Sequence, residues 1–587
     1  MRKLNRVVFC LMAFFAGAAF AQSTAGFGSI SGVVRDPTGA VVPNAKVAVT
    51  NVSKGIARNL TTNAAGLFTA PALVPAAGYS VAVDAPGFTR YEAKNFELQV
   101  GQNLSLNIDM AVAAAATQVE VSAAVPLVED TKTDVSQVIG TSQIDELPIN
   151  GRRVDSFVLL SPGVTNDGYY GNLSFRGMAG NTSFLVDGID NTEQYYNENA
   201  GRTRIGSQIS QDAVQEFQVV SSNFSAEYGR ASAGVVNTVT RSGTNDVHGT
   251  AYWFFRNRTL NARDRYATIN PPEVRHQTGG SIGGALKKDK LFYFFNTEIQ
   301  RRNFPIAGSL NRPAVIDSTG QFIGCAAPAT AAQCAAINTL LPRFYGQIPR
   351  KNDQELYFGK LDWRPNERNA FSASFNYLHF VAPNGIQSSV SINTGSQITS
   401  NGDDAVRVRN GRLSWTGIPT NNIVNEARFG RFTDRQADDF NPGVQTAGLG
   451  YLSLTVAGQS LGAGANYLPR ILPNEQRFQF ADNISWTTGK HAFKFGVDIA
   501  NTREYAWTMS NQFGSYTYGN VTAFAQDFSG NVDNGKRWQS YAQTFGNAAV
   551  DYNIQDHGFY AQDQFRVSKN LTLNYGLRYE YSALPQP

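Results

Sequence analysis

Three acidic side chains stand at even spacing in the stretch SFLVDGIDNTE: Asp187, Asp190 and Glu193. Carboxylates that converge in a fold either hold a hard cation through oxygen or move a proton as an acid/base pair. An EF-hand calcium loop wants oxygen ligands at alternate positions, a glycine at the sixth and a glutamate at the twelfth. Here the acids are three apart and Gly188 directly follows the first, so the local sequence does not spell that loop. An acid/base pair needs a nucleophile or a substrate pocket beside it. Gly279-Gly280-Ser281-Ile282-Gly283 has the spelling G-x-S-x-G, but it runs into ALKKDKLFYFF, which reads as a hairpin. A nucleophilic serine of that type needs a strand–turn–helix. The five histidines (His248, His276, His379, His491, His557) are scattered singly, with no metal-ligand spacing. The expectation is no enzyme, no metal and no bound cofactor. What remains is a strand, Ser183 to Val186, ending in an Asp-Gly turn.

The fold that holds this turn begins with a segment that sets the compartment. MRKLNRVVFCLMAFFAGAAFA has a basic head, an apolar stretch and a small-x-small end, a secretory signal peptide over residues 1–21. Its three basic residues account for most of the formal +4, so the remaining chain is near neutral and gives no electrostatic reason to bind nucleic acid. Cys10 falls within this signal. Cys325 and Cys334 lie close together in a stretch rich in Ala, Pro and Gly, and in an oxidising compartment the expectation is a loop-closing disulfide; zinc would want further Cys or His nearby. After the signal no apolar run approaches the roughly 20 residues of a membrane helix. With 38 Phe, 24 Tyr and 54 Gly at 16% charge, the chain is strand-rich, either a soluble β protein or an outer-membrane barrel.

Residues 27–112 alternate in short runs, Val47 and Val49 against Ala48 and Thr50, Val81 and Val83 against Ala82 and Asp84, with turns at Asp36-Pro37-Thr38-Gly39 and Asn63-Ala64-Ala65-Gly66. This predicts a small β-sandwich. GSISGVVRDPTGAVVPNAKVAV, with NAAGLF and APGF after it, resembles the carboxypeptidase regulatory-like domain of the carbohydrate-binding-like fold. AVAAAATQ then reads as a linker over 113–123. Within it, Thr117, Gln118, Val119, Glu120, Val121, Ser122 and Ala123 resemble a TonB box, the extended peptide by which such receptors pair with an energy-transducing protein; a strand-forming segment in a flexible linker suits recognition by strand addition.

Residues 124–245 have α/β texture, with short helices expected from Ser142 to Leu147 and from Asp155 to Leu160. A series of motifs follows in order: Arg176-Gly177, an apolar strand into Asp187-Gly188, Val214-Gln215-Glu216-Phe217 opening a strand, Glu227-Tyr228-Gly229, and Gly234-Val235-Val236-Asn237-Thr238-Val239-Thr240. The series resembles the plug domain of TonB-dependent outer-membrane receptors. VVNTVT in place of an isoleucine-rich ending, SSNFSAEYGRASAG before it, and the sandwich in front are similar to the Oar-like subgroup, which makes transport of iron complexes less secure.

From 246 to 587 the texture is that of an antiparallel barrel. Leu571, Leu573, Tyr575, Leu577, Tyr579 and Tyr581 share one face, with Thr572, Asn574, Gly576, Arg578 and Glu580 on the other. Strands are expected near 249–256, 278–286, 290–299, 356–363, 370–380, 405–416, 423–432, 476–487, 490–500, 556–567 and 570–581. The connections alternate short (KKD, RPNERN, GIPTNN, TG, SK) and long, the signature of periplasmic turns and outer loops. The last strand runs outward with no partner, so the chain is expected to continue beyond Pro587 in a barrel of the class with about 22 strands. The resemblance implies an outer-membrane protein with sandwich and plug on the periplasmic side, energised by a TonB-type protein, surrounded by lipid and taking up an unidentified ligand (carbohydrate, peptide or chelate). The alternative is an adhesion, protein-export or signalling protein on the same architecture.

Overall fold

The computed structural model describes residues 26–112 and 133–585, apart from 167–171, 203–204, 264–269, 271, 310–314, 340–345, 386–391, 395–401, 421, 441–452, 463–467, 532, 569–570 and 584. The signal segment and the Thr117–Ala123 segment lie outside the described residues.

Seven strands build the sandwich: β1 (Gly28–Arg35), β2 (Lys46–Asn51), β3 (Ile56–Thr61), β4 (Leu67–Leu73), β5 (Ala76–Asp84), β6 (Tyr91–Leu98) and β7 (Asn103–Asp109). They form two sheets, β4-β1-β7 and β3-β2-β5-β6. Turn chemistry sets the connections. Asp36 Oδ1 accepts the amides of Thr38 and Ala40, and Asn63 Oδ1 those of Ala65 and Leu67, so each side chain closes its own turn. The alternating valines turn inward: Val47, Val49, Val81 and Val83 pack with Ile30, Val34 and Phe68 in one dry core. Tyr79, also enclosed there, satisfies its hydroxyl by donating to Val74 O at 2.7 Å.

The plug is organised on a mixed sheet of β8 (Val135–Ile139), β9 (Thr182–Val186), β10 (Ile189–Asp190), β11 (Val214–Ser222) and β12 (Gly234–Thr240), in the order β10-β9-β12-β11-β8. β12 lies parallel to β9 and antiparallel to β11. Both faces of β12 are covered, which explains its unbroken GVVNTVT run. The helices Thr141–Glu146 and Asp155–Val158 bury Ile144, Phe157 and Val158 against this sheet.

Eleven strands in sequence order form one antiparallel sheet that curves around the plug. They are β13 (His248–Asn257), β14 (Val274–Lys287), β15 (Leu291–Asn303), β16 (Asp353–Asn366), β17 (Asn369–Ala382), β18 (Asp403–Thr420), β19 (Ile423–Asp439), β20 (Arg470–Thr488), β21 (His491–Trp507), β22 (Ala549–Ser568) and β23 (Leu571–Ala583). Several run further on the long-loop side than the sequence pattern indicated: β20 starts at Arg470 and β22 at Ala549. The ladder continues there beyond the stretch in which apolar and polar residues alternate. Polarity is inverted relative to a soluble protein. Phe478, Phe480, Leu413 and Phe375 face outward, 44–56% exposed, while Glu475, Arg477, Gln479 and Arg412 are buried in the lumen. An apolar belt on the outside is stable only against lipid. Among the described residues no helix is long and apolar enough to cross a membrane; the strands do so.

The long connections are not structureless. Helix Ala331–Asn338, capped reciprocally by Thr330 and Gln333, and helix Val521–Phe528, capped by Asn520, pack with strands Ser453–Val456 and Ser515–Tyr518. Ile337, Leu454, Val456, Val521 and Phe524 form a separate apolar core, so three outer loops join into one cap. Cys325 and Cys334 are disulfide-bonded in it, with Cα atoms 5.8 Å apart.

At the opposite end the sandwich docks on the short turns. Lys54 Nζ donates to Ser242 O at 3.1 Å, Arg58 donates to Glu367 O at 2.6 Å, and Asn63 donates to Gly489 O at 3.4 Å. Burial lowers the Lys54 ammonium to about 8. Gly55, at φ +61°, lets the loop pass beside Asp289, where a Cβ would come within 2.6 Å of its Cα.

Candidate functional site: the plug–barrel latch

The three acids that opened the sequence reading do not meet one another. Each is carried to a different partner. Asp187 and Gly188, both at positive φ (+49° and +76°), make a two-residue turn that returns β9 onto β10. The Asp187 carboxylate accepts Thr240 N at 2.9 Å and Thr240 Oγ1 at 2.7 Å, tying the turn to the end of β12, and Lys360 Nζ on β16 lies 3.8 Å away. Burial pushes this carboxyl up, but Lys360, Arg412 and the Thr240 bonds outweigh it, leaving Asp187 below its ordinary value.

Asp190 is the centre of a latch. Its backbone N–H donates to Gln479 on β20 at 3.0 Å, and its Oδ1 accepts Thr192 N at 2.8 Å. Oδ2 lies 3.1 Å from Arg230 of the plug and 3.4 Å from Arg477 of β20. Arg477 also donates to Thr192 O at 2.8 Å. Arg230 continues to Asp498 on β21 (3.7 Å) and Asp556 on β22 (3.4 Å), so two guanidinium groups bridge plug and barrel carboxylates. Although burial works against ionisation at Asp190, Arg477 and Arg230 hold its carboxyl below the ordinary range. The carboxylates around Arg230 likewise raise that guanidinium against burial.

Glu193, fully buried, accepts Tyr195 N at 2.6 Å and Tyr196 N at 2.8 Å, which fixes the following turn. Burial pushes its carboxyl up to about 7 despite Arg202 nearby. Further polar plug–barrel contacts run from Gly201 N to Asp434 at 2.8 Å, Gly206 N to Gln354 at 2.6 Å, Ser210 Oγ to Glu298 at 2.7 Å, and Asn410 to Asn191 at 2.6 Å, while Ala200 and Ile205 join an apolar cluster with Leu356, Leu378 and Phe380 of the barrel.

The other plug-motif residues divide by task. Arg176 and Gly177 form an exposed positive-φ turn, and Arg176 N donates to Gly163 O at 2.7 Å. Glu216, buried, accepts Val100 N of the sandwich at 2.7 Å, and burial raises it to about 8. Glu227 pairs with Lys494 of β21 at 3.3 Å, and Tyr228 donates to Gln218 at 3.1 Å. Gly229 lies under Glu580 and Arg578 of β23, and Gly234 under the Phe175 ring. Asn237 is fully buried in the central strand, and its side-chain amide has no hydrogen-bond partner among the described residues, a costly arrangement. Ser281 sits in the middle of β14, paired with Thr250 across the ladder, so the G-x-S-x-G spelling makes no elbow there.

Sequence reading missed Arg230, Arg477, Asp498 and Asp434. The signal was available in the barrel part: Glu475, Arg477 and Gln479 alternate with Phe478 and Phe480, and a charged residue on the lumenal phase of such a strand needs a partner inside.

Comparison with known proteins agrees with this geometry. The Outer membrane beta barrel domain family matches residues 239–349 and 325–587. The TonB-dependent Receptor Plug Domain matches 128–236, and the Carboxypeptidase regulatory-like domain matches 29–111. The TonB-dependent transporter Oar of Myxococcus xanthus is 26% identical over 299 residues, 48% of this chain and 27% of that protein. The outer membrane transporter YddB from Escherichia coli superposes with a TM-score of 0.51 at 13% identity, over 76% of this chain and 56% of that one. The ferric enterobactin receptor PfeA from Pseudomonas aeruginosa gives 0.49 at 13% identity, over 77% and 58%. The match thus spans about a quarter of the curated relative's length. Barrel and plug place the chain in the outer membrane with the plug on the periplasmic side. With more than half of its length matched, the chain belongs to the outer membrane beta barrel domain family, with a TonB-dependent receptor plug seated within the strands.

Proposed function

We propose that this protein is a TonB-dependent outer-membrane receptor and transporter that takes up a ligand through its plugged barrel. The observation that carries this reading is the plug's seat within the strands, in which polar bridges around Asp190 stand beside apolar contacts, Ala200 and Ile205 clustering with Leu356, Leu378 and Phe380, and the plug core with Phe294 and Phe358. A typical hydrogen bond exchanges with water at a net value of about 0.5–1.5 kcal/mol, and one to a charged group at about 1.5–3 kcal/mol, so the polar part of this seat, the Asp190–Arg230–Arg477 bridges, can rearrange contact by contact. The printed name of the Myxococcus relative supports the same reading. In this scheme the sandwich occupies 27–112, the linker with Thr117–Ala123 occupies 113–123, the plug 124–245 and the barrel the residues from 246. Thr117–Ala123 pairs as an added strand with the periplasmic domain of a TonB-type protein, and the ligand, of carbohydrate, peptide or chelate class, is captured from outside.

Titration of the full-length protein with a purified TonB periplasmic domain tests the coupling. Binding is expected to disappear when Thr117–Ala123 is deleted; unchanged binding would sink the proposal. A second reading, adhesion or large-ligand binding without uptake, is favoured by the outer cap, whose own core and disulfide give a rigid external surface. It predicts ligand retention that is indifferent to the same deletion.

A further inference from the structure

The Asp190 latch accounts for one side of the plug's seat, and a second carboxylate group beside it has no counterpart in that scheme. Glu193 of the plug, Glu475 of β20 and Glu504 of β21 each bring a carboxylate oxygen within 4.8 Å of the other two. None is more than 2% exposed. Each carboxylate is already oriented by backbone amides: Glu193 by Tyr195 and Tyr196, Glu475 by Gln194 N at 2.8 Å, and Glu504 by Asn474 N at 2.8 Å. Both oxygens of Glu193 accept an amide, which leaves the second oxygens of Glu475 and Glu504. Glu504 Oε2 has no hydrogen-bond partner, and Glu475 Oε1 has only Arg477 at 3.3 Å, a guanidinium it shares with Asp190. Asp434, fully buried in the same neighbourhood, leaves its Oδ1 unpartnered as well. Arg202, 3.5 Å from Asp434 Oδ2, and Arg477 supply positive charge beside the group but leave Glu504 Oε2 and Asp434 Oδ1 unmet, and buried acceptors without donors are expensive.

We propose that Glu193, Glu475 and Glu504 bind one divalent cation, calcium by preference, that staples the plug to two adjacent barrel strands. The donor set is all oxygen, with no imidazole or thiolate, which selects hard cations. Calcium takes oxygens at about 2.3–2.6 Å, so ligands on opposite sides of one ion lie up to about 5 Å apart. The observed spread fits that span without rearrangement. Magnesium, at about 2.0–2.1 Å, would require the group to contract. The site is formed by residues far apart in sequence, so it is unrelated to the spacing of a calcium loop. It depends on the plug being seated in the barrel and not on transport, so failure of the TonB-domain titration would leave it standing.

The test uses the full-length protein in detergent micelles, stripped with EDTA and titrated with calcium alone, with terbium as a luminescent substitute. Tyr552 faces Glu504 across the β21–β22 ladder and, with Tyr195 and Tyr196, serves as the sensitiser. One calcium per chain is expected. E504Q should weaken it by roughly tenfold or more, while D551N, in an exposed pair with Arg503, binds as the parent does. Protease cleavage within the plug should rise several-fold in EDTA and return to its starting level with calcium. The proposal is overturned by an absence of binding at about 10 mM calcium, above the range of weak extracellular sites, or by undiminished binding in E504Q. Plug protection that follows pH and ignores calcium would also overturn it, because the carboxylates would then be sharing a proton. If E504Q does not fold, the EDTA and calcium measurements on the parent protein decide alone.

Discussion

The sandwich and the barrel are written in the same alternating pattern and read it in opposite senses. In the sandwich Val47, Val49, Val81 and Val83 turn inward and the polar partners face water. In the barrel Leu573, Tyr575, Leu577 and Tyr579 turn outward and the charged partners go inside. The difference lies in the solvent outside and in what fills the middle: side chains of the same domain in one case, an independent plug in the other. An apolar interior cannot exchange its contacts for water. The polar part of the plug's seat, built from Asp190, Arg230, Arg477, Gln354 and Asp434, can do so, contact by contact, beside the apolar cluster that Ala200 and Ile205 share with Leu356 and Phe380.

The contrast can be broken most severely at Val49. Val49→Asp places an uncompensated charge in the dry core, and loss of the sandwich by about 4 kcal/mol or more is expected; hydrogen exchange of the full-length protein should show β1–β7 deprotected with β13–β23 unchanged. Asp190→Ala attacks the polar seat instead, leaving Arg230 and Arg477 with a partner missing in a buried site. The cost is expected near 3–5 kcal/mol, read as plug unfolding in urea at lower concentration, with Asp190→Asn intermediate. Leu577→Arg tests the outward face, where a cation near the bilayer midplane costs about 2–4 kcal/mol. It should reduce folding yield into liposomes while leaving the sandwich intact.

The last effect, read through pH, concerns the junction between the sandwich and the plug. Glu216 ordinarily titrates at 4.5 and is raised to about 8 by burial, so the folded junction keeps a proton that the unfolded chain has released. Between those values the folded state binds more protons, and stability falls as pH rises from about 4.5 to about 8, then levels off. Protection of the Val100 amide is expected to be greater at pH 6 than at pH 9. Glu216→Gln, which keeps an acceptor for Val100 N, should flatten the profile; a slope of the opposite sign would refute the assignment.

Architecture was legible in the sequence because periodicity and connection length are local. All eleven barrel strands lie where alternation and the short turns KKD, RPNERN, GIPTNN, TG and SK placed them, and the Asp187-Gly188 turn follows from two residues that tolerate positive φ. The strands' outer ends were not legible, since the ladder outlasts the apolar pattern. Nor were the outer helices, which are short and are held by contacts between three separate loops. The site was legible only as a location. Asp190 and Glu193 look alike at three-residue spacing, and what separates their surroundings is Arg477 in one case and Glu475 with Glu504 in the other, residues more than 280 positions away that no local pattern connects.

The order of strands in the plug sheet also decides how it fails under tension. β8 is an edge strand of five residues with a single neighbour, β11. It is the first element of the plug after residues 113–132. A tug on that stretch reaches β8 through Thr133, whose carbonyl accepts Asn223 Nδ2 at 3.4 Å. β8 can peel from β11 one rung at a time while β9, β12 and β11 keep their mutual ladders. On its other side the same stretch begins beyond β7, itself an edge strand, which lies along β1 in a parallel ladder of seven rungs. A pull on that stretch therefore meets the shorter ladder, five rungs, on the plug side and the longer, seven, on the sandwich side.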